Sequence, residues 1–371
     1  MAVYKIFPEK DSFIYTEQPT ANAGKDEILE VGGYRNTSDI SHTIRSLIQF
    51  PTSEIRSTVD NVIGSNDYSA SIKMYLAEAG ELPIDYTIYG YPIYTTAAQW
   101  DNGKGKYGDI PIDKSGVSWK YIQALETNAW PTAFPVGVTG SYQVGTPGGG
   151  NWYTSSLGES LISSHSHDIT STHDLELNVT TAIKQMYTGS IPNKGFIIKL
   201  QDDLEYNVTS SIRLKYFSGD TNTIYPPCLE FKWDDSSYVT GSLSVLATDI
   251  ATINVKNNKG KYPDVGKQRF RLNVRPKYPT RLFTTSSVYL TNYALPSGSY
   301  WGLKDENTEE MVIDFDNKFT KISCDSNGAY FDVHMSGLQP ERYYRLLIKS
   351  TLDGTTAIVS SDNLFKVVRN G

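Results

Sequence analysis

Cysteine is almost missing from this chain: Cys228 and Cys324 are the two in 371 residues. A disulfide framework of the kind that staples small secreted domains is therefore not expected, and folding in a reducing cytosol is. Charge is also sparse, with 20% charged residues, a formal net charge of −7 and no run of Lys and Arg. Phosphate neutralisation requires a basic patch, so nucleic acid is not an expected partner. No apolar run approaches the ~18 residues of a spanning helix, so no membrane partner is expected. The opening MAVYKIFPEKD has neither the apolar segment nor the small-residue cleavage site of a secretory signal, which implies an unprocessed start. Helical periodicity is scarce as well.

Tyrosine is abundant, at 26 residues, together with Ser, Thr and Asn, a mixture that favours strands and turns. Apolar and polar residues alternate in SIKMYLA (71–77), FIIKL (196–200), SIRLKYF (211–217) and RFRLNV (269–274), each bounded by turn formers, as half-buried antiparallel strands require. One segment has a different period. In 174–189, Val179, Ile183 and Met186 fall at helical spacing, with Thr180 as a candidate cap and Gly189 as a stop, which predicts one short helix.

The length allows two domains. Acidic and small polar residues interrupt the strand pattern at 232–242, so a boundary near 234/235 is expected there, open to proteolysis. Residues 235–371 then carry strands of their own. A long irregular stretch, about 100–160, interrupts the first domain; such loops are usually functional or disordered.

Within and beyond that stretch lie the candidate sites. His165, His167 and His173 fall within nine residues, and the first two would project from one face of a strand. That spacing suits a metal if a third ligand arrives from His173 or Asp168. Solvated histidines at a rim are the plainer reading, and no metal is expected. GKGKYG (103–108) matches G-x-G-x-x-G but is followed by DIPIDKSG, which is not the helix a pyrophosphate needs. GTPGGGN (145–151) lacks the ending of a phosphate loop and reads as a flexible hairpin tip. Asp202, Asp203 and Glu205 lie in one turn, where a solvated loop is expected instead of a glycosidase pair facing across a cleft. Trp100, Trp119, Trp130 and Trp152 all fall in or beside the long interruption, as core filling, a sugar-stacking platform or an anchor for a protein partner. The Asn-x-Ser/Thr triplets at Asn36, Asn178 and Asn207 read as ordinary strand and turn residues.

Two resemblances follow from longer stretches. KDSFIYTEQPTANAGKDEILEVGG, RSLIQFP, SIKMYLAEA, the tryptophan-containing turns at Trp100 and Trp119, and NVTTAI, NKGFIIKL, KYFSGD and PPCLEFKW appear in an order that resembles the DNRLRE family over residues 1 to about 234. That resemblance implies a jelly-roll β-sandwich similar to carbohydrate-binding modules. From about 265 to 371, KQRFRLNVRPKYPTRLFTTSS, LPSGSYWGLKDENTEEMVIDF, TKISCDSNGAYFDVHMSGLQPERYYRLLIK and DNLFKVVRNG resemble the ends of virion structural proteins of large contractile-tailed phages. Leu338, Pro340 and Tyr344 have the spacing of a tyrosine corner in fibronectin-like sandwiches, a structural device.

The expected fold is thus all-β, an N-terminal jelly-roll sandwich (1–234) and a smaller immunoglobulin- or fibronectin-like sandwich (235–371). The expected function is a non-enzymatic structural component of a phage virion, in the neck, tail or baseplate, acting by protein–protein docking; no catalytic, cofactor-binding or metal-ligating residue is assigned. Its partners would be other virion proteins and further copies of itself around the particle axis. The last strand, with Phe365, Val367 and Val368, is the candidate for pairing with another chain or for closing the C-terminal core. The alternative is an adhesin whose N-terminal sandwich recognises host polysaccharide.

Overall fold

The computed structural model describes residues 2–35, 41–80, 85–96, 99–132, 135–140, 148–168, 170–206, 211–256, 258–280, 287, 290–360 and 363–370. Strands hold 46% of the chain and helices 9%, so the fold is the all-β architecture that the alternation implies. The chain forms two compact units: Ile6–Gly64 with Ser69–Glu230, and Met1–Lys5, Ser65–Tyr68 and Phe231–Gly371. It passes from one to the other within the strands Ala2–Ile6, Tyr68–Met74 and Cys228–Trp233 and, outside any strand, between Gly64 and Ser65. The polar run after Trp233 lies in the C-terminal unit and is not a free linker. Cys324 N–H donates to Ser237 O (2.8 Å) and Val239 N–H to Cys324 O (3.0 Å), which lays the run along the strand Ser323–Asp325.

In the larger unit one sheet runs in the order Ser163–His167, Tyr86–Pro92, Phe196–Leu200, Ser41–Gln49, Ile28–Arg35, Ile212–Phe217, Leu76–Gly80, with Lys10–Tyr15 also on Ser41–Gln49. A second layer includes Leu175–Asn178, paired with Tyr68–Met74 so that Leu177 faces Ile72 in register. The two layers meet closely: the Leu177 side chain lies 2.7 Å from where a Cβ on Gly90 would stand. The helix Thr180–Thr188 ends at Gly189 in the left-handed region (φ 80°), as its sequence predicts. Thr180 is its first residue instead of its cap; the Asn178 side chain accepts from the Thr180 N–H at 3.1 Å. A second helical segment, Thr52–Ser57 continuing as a π-turn through Ile63, was not expected, although Ile55, Val59 and Ile63 have helical spacing and are buried.

The alternation of FIIKL fails in one instructive way. All five residues of Phe196–Leu200 are buried, as are eight of nine in Ser41–Gln49. The inner face of these central strands packs in the sandwich, and residues of the long interruption cover the outer face. Ile14, Leu47 and Ile197 pack there against Trp100, Trp119, Trp130 and Trp152.

The C-terminal unit has one sheet in the order Ala251–Lys256, Lys267–Pro276, Gly328–His334, Ser323–Asp325. The other runs Lys261–Pro263, Leu364–Val368, Tyr343–Leu352, Tyr300–Asp305, Met311–Ile313, with Thr355–Val359 on Tyr343–Leu352. Their facing residues form one core in which Trp301 stacks on Phe331 (5.1 Å), and Phe270 meets both Phe331 and Phe365. Outward residues of the same strands are polar: Arg269 and Arg271 each make a two-pronged ion pair, with Asp332 and Asp325. The tyrosine corner is formed, the Tyr344 phenol donating to Gln339 O at 3.0 Å. The last strand is not an open edge. Leu364–Val368 lies between Lys261–Pro263 and Tyr343–Leu352, with Phe365 and Val367 buried, so these residues close the core instead of offering a pairing surface.

Candidate functional site

The long interruption of the larger unit is anchored by three constructions. The first is Asn22, in the turn Ala21–Gly24, almost fully buried. Its side-chain amide donates to Asn102 O (2.8 Å) and Val117 O (3.0 Å), and its oxygen accepts from the N–H groups of Gly24 (3.2 Å) and Gly105 (3.0 Å). An asparagine side chain has this capacity and no more. Gly103 and Gly105 of GKGKYG serve this contact: a Cβ on Gly103, whose φ is 81°, would lie 2.1 Å from the Asn22 oxygen, and one on Gly105 2.4 Å from the Asn22 carbonyl oxygen.

The second is Lys10, whose ammonium donates to Trp100 O (2.5 Å) and sits 4.4 Å over the Trp100 ring; burial pulls its pKa down to about 8. The indole N–H of Trp100 donates to Lys194 O and that of Trp130 to Ser118 O, so both polar tips are satisfied inside the protein. All four tryptophans are buried, at 0 to 6% exposure, which makes them core and leaves none to stack on a sugar.

The third is a charged group inside that aromatic core. Arg45, fully buried, forms a two-pronged pair with Glu205 (2.8 and 2.9 Å) and lies 5.0 and 5.3 Å from the rings of Trp119 and Trp152. Lys199, also buried, reaches the same carboxylate at 3.0 Å and bonds the exposed Asp202. The acidic turn is therefore split. It is the one-turn helix Asp202–Glu205, whose first carboxylates face solvent while Glu205 points inward. Gly149 and Gly150 of GTPGGGN are buried in the same place, and Gly149 O accepts from Arg45, so this part of the run is packed where a free hairpin tip was expected; its residues 145–147 lie outside the described ones. Nothing local in the sequence marks Arg45 or Lys199 as buried. The indirect signal is a cation two residues from an apolar residue on the same strand face, Arg45 beside Leu47 and Lys199 beside Ile197.

Among the residues that the anchored region exposes, several are large and apolar. Ile110, Leu125, Val136 and Leu157 are 78 to 104% exposed. Two of them also occupy unfavourable backbone. Leu125 and Glu126 (φ 55° and 58°) are the central residues of a turn closed by Thr127 N–H to Ala124 O. Leu157 and Gly158 (φ 52° and 79°) join Ser155–Ser156 to Glu159–Ser160. Turns with positive φ at both central residues favour Asn-Gly, and a leucine there pays both the backbone strain and the exposure of its side chain.

His165 and His167 lie on the terminal strand Ser163–His167, at the sheet's edge, and His173 in the turn between it and Leu175–Asn178. The His165 and His167 rings are parallel (1°) at 4.4 Å, and Tyr86 stacks on His167 at 4.7 Å. His167 Nδ1 donates to Thr172 O (3.0 Å), so its neutral form carries the proton there and its buried Nε2 has no hydrogen-bond partner among the described residues. Burial, then the neighbouring His165, pushes the His167 pKa down. Tyr86 Oη bonds His173 Nδ1 at 2.8 Å. Parallel rings aim their lone pairs along parallel lines instead of at one ion, and no group of three His, Cys, Asp or Glu among the described residues is arranged to hold a metal. Of the glycosylation-type triplets, Asn36 and Asn207 lie outside the described residues. Both cysteines are buried, and neither is in a disulfide. No protein-family model matches the chain, and no curated protein is significantly similar to it.

Proposed function

We propose that the protein is a non-enzymatic structural component of a phage virion and that it works by docking other virion proteins through the tips of the anchored interruption. The observation that carries this reading is the pair of exposed leucines at left-handed turn positions, Leu125 and Leu157. A side chain that costs the isolated fold both backbone strain and solvent exposure is explained by a contact in an assembly, where apolar anchors at the centre of an interface contribute most. The rigid base supports the same reading, because a pre-organised surface loses less entropy on binding. The resemblance of 265–371 to phage virion proteins supplies the kind of assembly, and several copies around the particle axis are part of the proposal.

Polysaccharide recognition by the N-terminal sandwich has less support, since the four tryptophans that would form a platform are in the core. The test is mass spectrometry of gradient-purified particles of the encoding phage. The intact chain is expected at a fixed copy number per particle; its absence would overturn the proposal.

A further inference from the structure

The C-terminal unit contains an open cavity of about 310 Å³ lined by Tyr300, Phe315, Asp316, Asn317 and Lys349. It lies on the outer face of its sheet. Trp301 and Ile348 point into the core, so Tyr300 and Lys349, which are directly opposite each other across the antiparallel pair, point away from it. The loop after Met311–Ile313 supplies the other wall. Its shape is held by Asp316, one of whose carboxylate oxygens accepts from the N–H groups of Lys318 (2.7 Å) and Phe319 (2.8 Å). Phe315 lies against Gly302, where a Cβ would come within 3.1 Å of its ring.

The polar groups of the cavity are spare. The second Asp316 oxygen, the Asn317 amide, the Tyr300 hydroxyl and the Lys349 ammonium make no hydrogen bond among the described residues; Lys349 only approaches the Phe315 ring, at 5.7 Å. Arg269, Arg271, Arg342 and Arg345 of this unit, by contrast, are held in ion pairs. Two aromatic rings with an acceptor, an amide and an ammonium around them match a pyranose, which has apolar C–H faces and a rim of hydroxyls that both donate and accept. The volume is at the small end of ligand pockets, roughly 300–1,000 Å³, which suits a single sugar ring. One carboxylate balances one ammonium, so a phosphate or another strong anion would meet Asp316 and gain little.

We propose that this cavity is a binding site for one neutral hexose unit, displayed on the C-terminal unit and independent of the docking surface on the larger one. Aromatic contact covers the sugar's C–H face, while Asp316 accepts from and Lys349 donates to its hydroxyls. A single-ring ligand in an open site binds in the millimolar range.

The experiment is saturation-transfer NMR on the full chain with glucose, galactose, mannose and N-acetylglucosamine, alongside inorganic phosphate. At least one hexose is expected to show saturable transfer that phosphate does not displace. Lys349→Ala and Tyr300→Ala are each expected to weaken it about tenfold, the loss of one charge-assisted hydrogen bond or one ring contact. Both positions face outward, and circular dichroism of each variant checks that the fold is kept. Lack of transfer from every hexose, displacement by phosphate, or full binding by the folded variants would overturn the proposal.

Discussion

Glu205 holds two cations inside an aromatic core, and its partners do not depend on it equally. Arg45 takes both of its oxygens, whereas Lys199 takes one and also reaches Asp202. Removing the carboxylate leaves the buried guanidinium uncompensated and the buried ammonium with Asp202 alone, so Glu205→Gln is expected to cost about 3–5 kcal/mol. Lys199→Met leaves the Arg45–Glu205 pair intact and should cost far less, about 1 kcal/mol or below. Urea denaturation of the two variants checks the order, and equal losses would show that the pair is not the anchor described. In the C-terminal unit the sensitive residue is His334, packed on Trp233 and Tyr4, whose pKa burial pushes down to about 4. Its unfolded value is near 6.5. Between these limits the unfolded chain takes a proton that the folded unit refuses, so the His334 contribution is complete above pH 6.5 and lost as pH falls towards 4. The loss is about 1.4 kcal/mol per pH unit, roughly 3 kcal/mol in all. Asp11 in the larger unit acts in the opposite sense. Burial raises its carboxyl to about 6, so its contribution is present below pH ~4 and lost as pH rises through 6. Denaturation of wild type and His334→Phe at pH 4.5 and 7.5 checks this, the variant being expected to lose less on acidification; an equal loss would contradict it.

Among the elements, Asn22 is the point where the long interruption is fastened to the sheet. Asn22→Ala removes four hydrogen bonds, each worth about 1 kcal/mol, and takes the side-chain partner from the Asn102 and Val117 carbonyls and from the Gly24 and Gly105 N–H groups. The variant is expected to lose about 3 kcal/mol and to be cleaved by protease within 100–153 before the strands are touched; an unchanged digestion pattern would contradict this. What could be read from the sequence at this scale was whatever is local. The strands SIRLKYF and RFRLNV, the stop at Gly189 and the tyrosine corner at Leu338, Pro340 and Tyr344 are written in spacings of a few residues, and the structure places them there. Burial of FIIKL on both faces was not legible, because it depends on Trp119 and Trp152 arriving from elsewhere in the chain to cover the outer face. The same holds for Glu205, which looks like its solvated neighbours Asp202 and Asp203 until Arg45 is set beside it. The helix from Thr52 carries its signal in Ile55, Val59 and Ile63, a spacing diluted by the polar residues between them.

For the whole molecule, the docking proposal rests on features of its surface. The charged cluster that most resembles an active site is sealed inside tryptophan, and the histidines are stacked in parallel instead of converging. The features that the isolated fold does not explain are apolar tips held at strained turns on a rigid base, and these carry the docking reading. Asparagine suits positive φ better than leucine and is polar. In Leu125→Asn/Leu157→Asn each substitution should therefore stabilise the free protein by up to about 1 kcal/mol while removing its anchors. The decisive measurement is the amount of this double variant incorporated into particles when it replaces the wild-type chain, set beside its thermal stability. The docking reading predicts a melting temperature equal to or above wild type and incorporation reduced about tenfold or more; a variant at least as stable as wild type and incorporated at the wild-type level would contradict it.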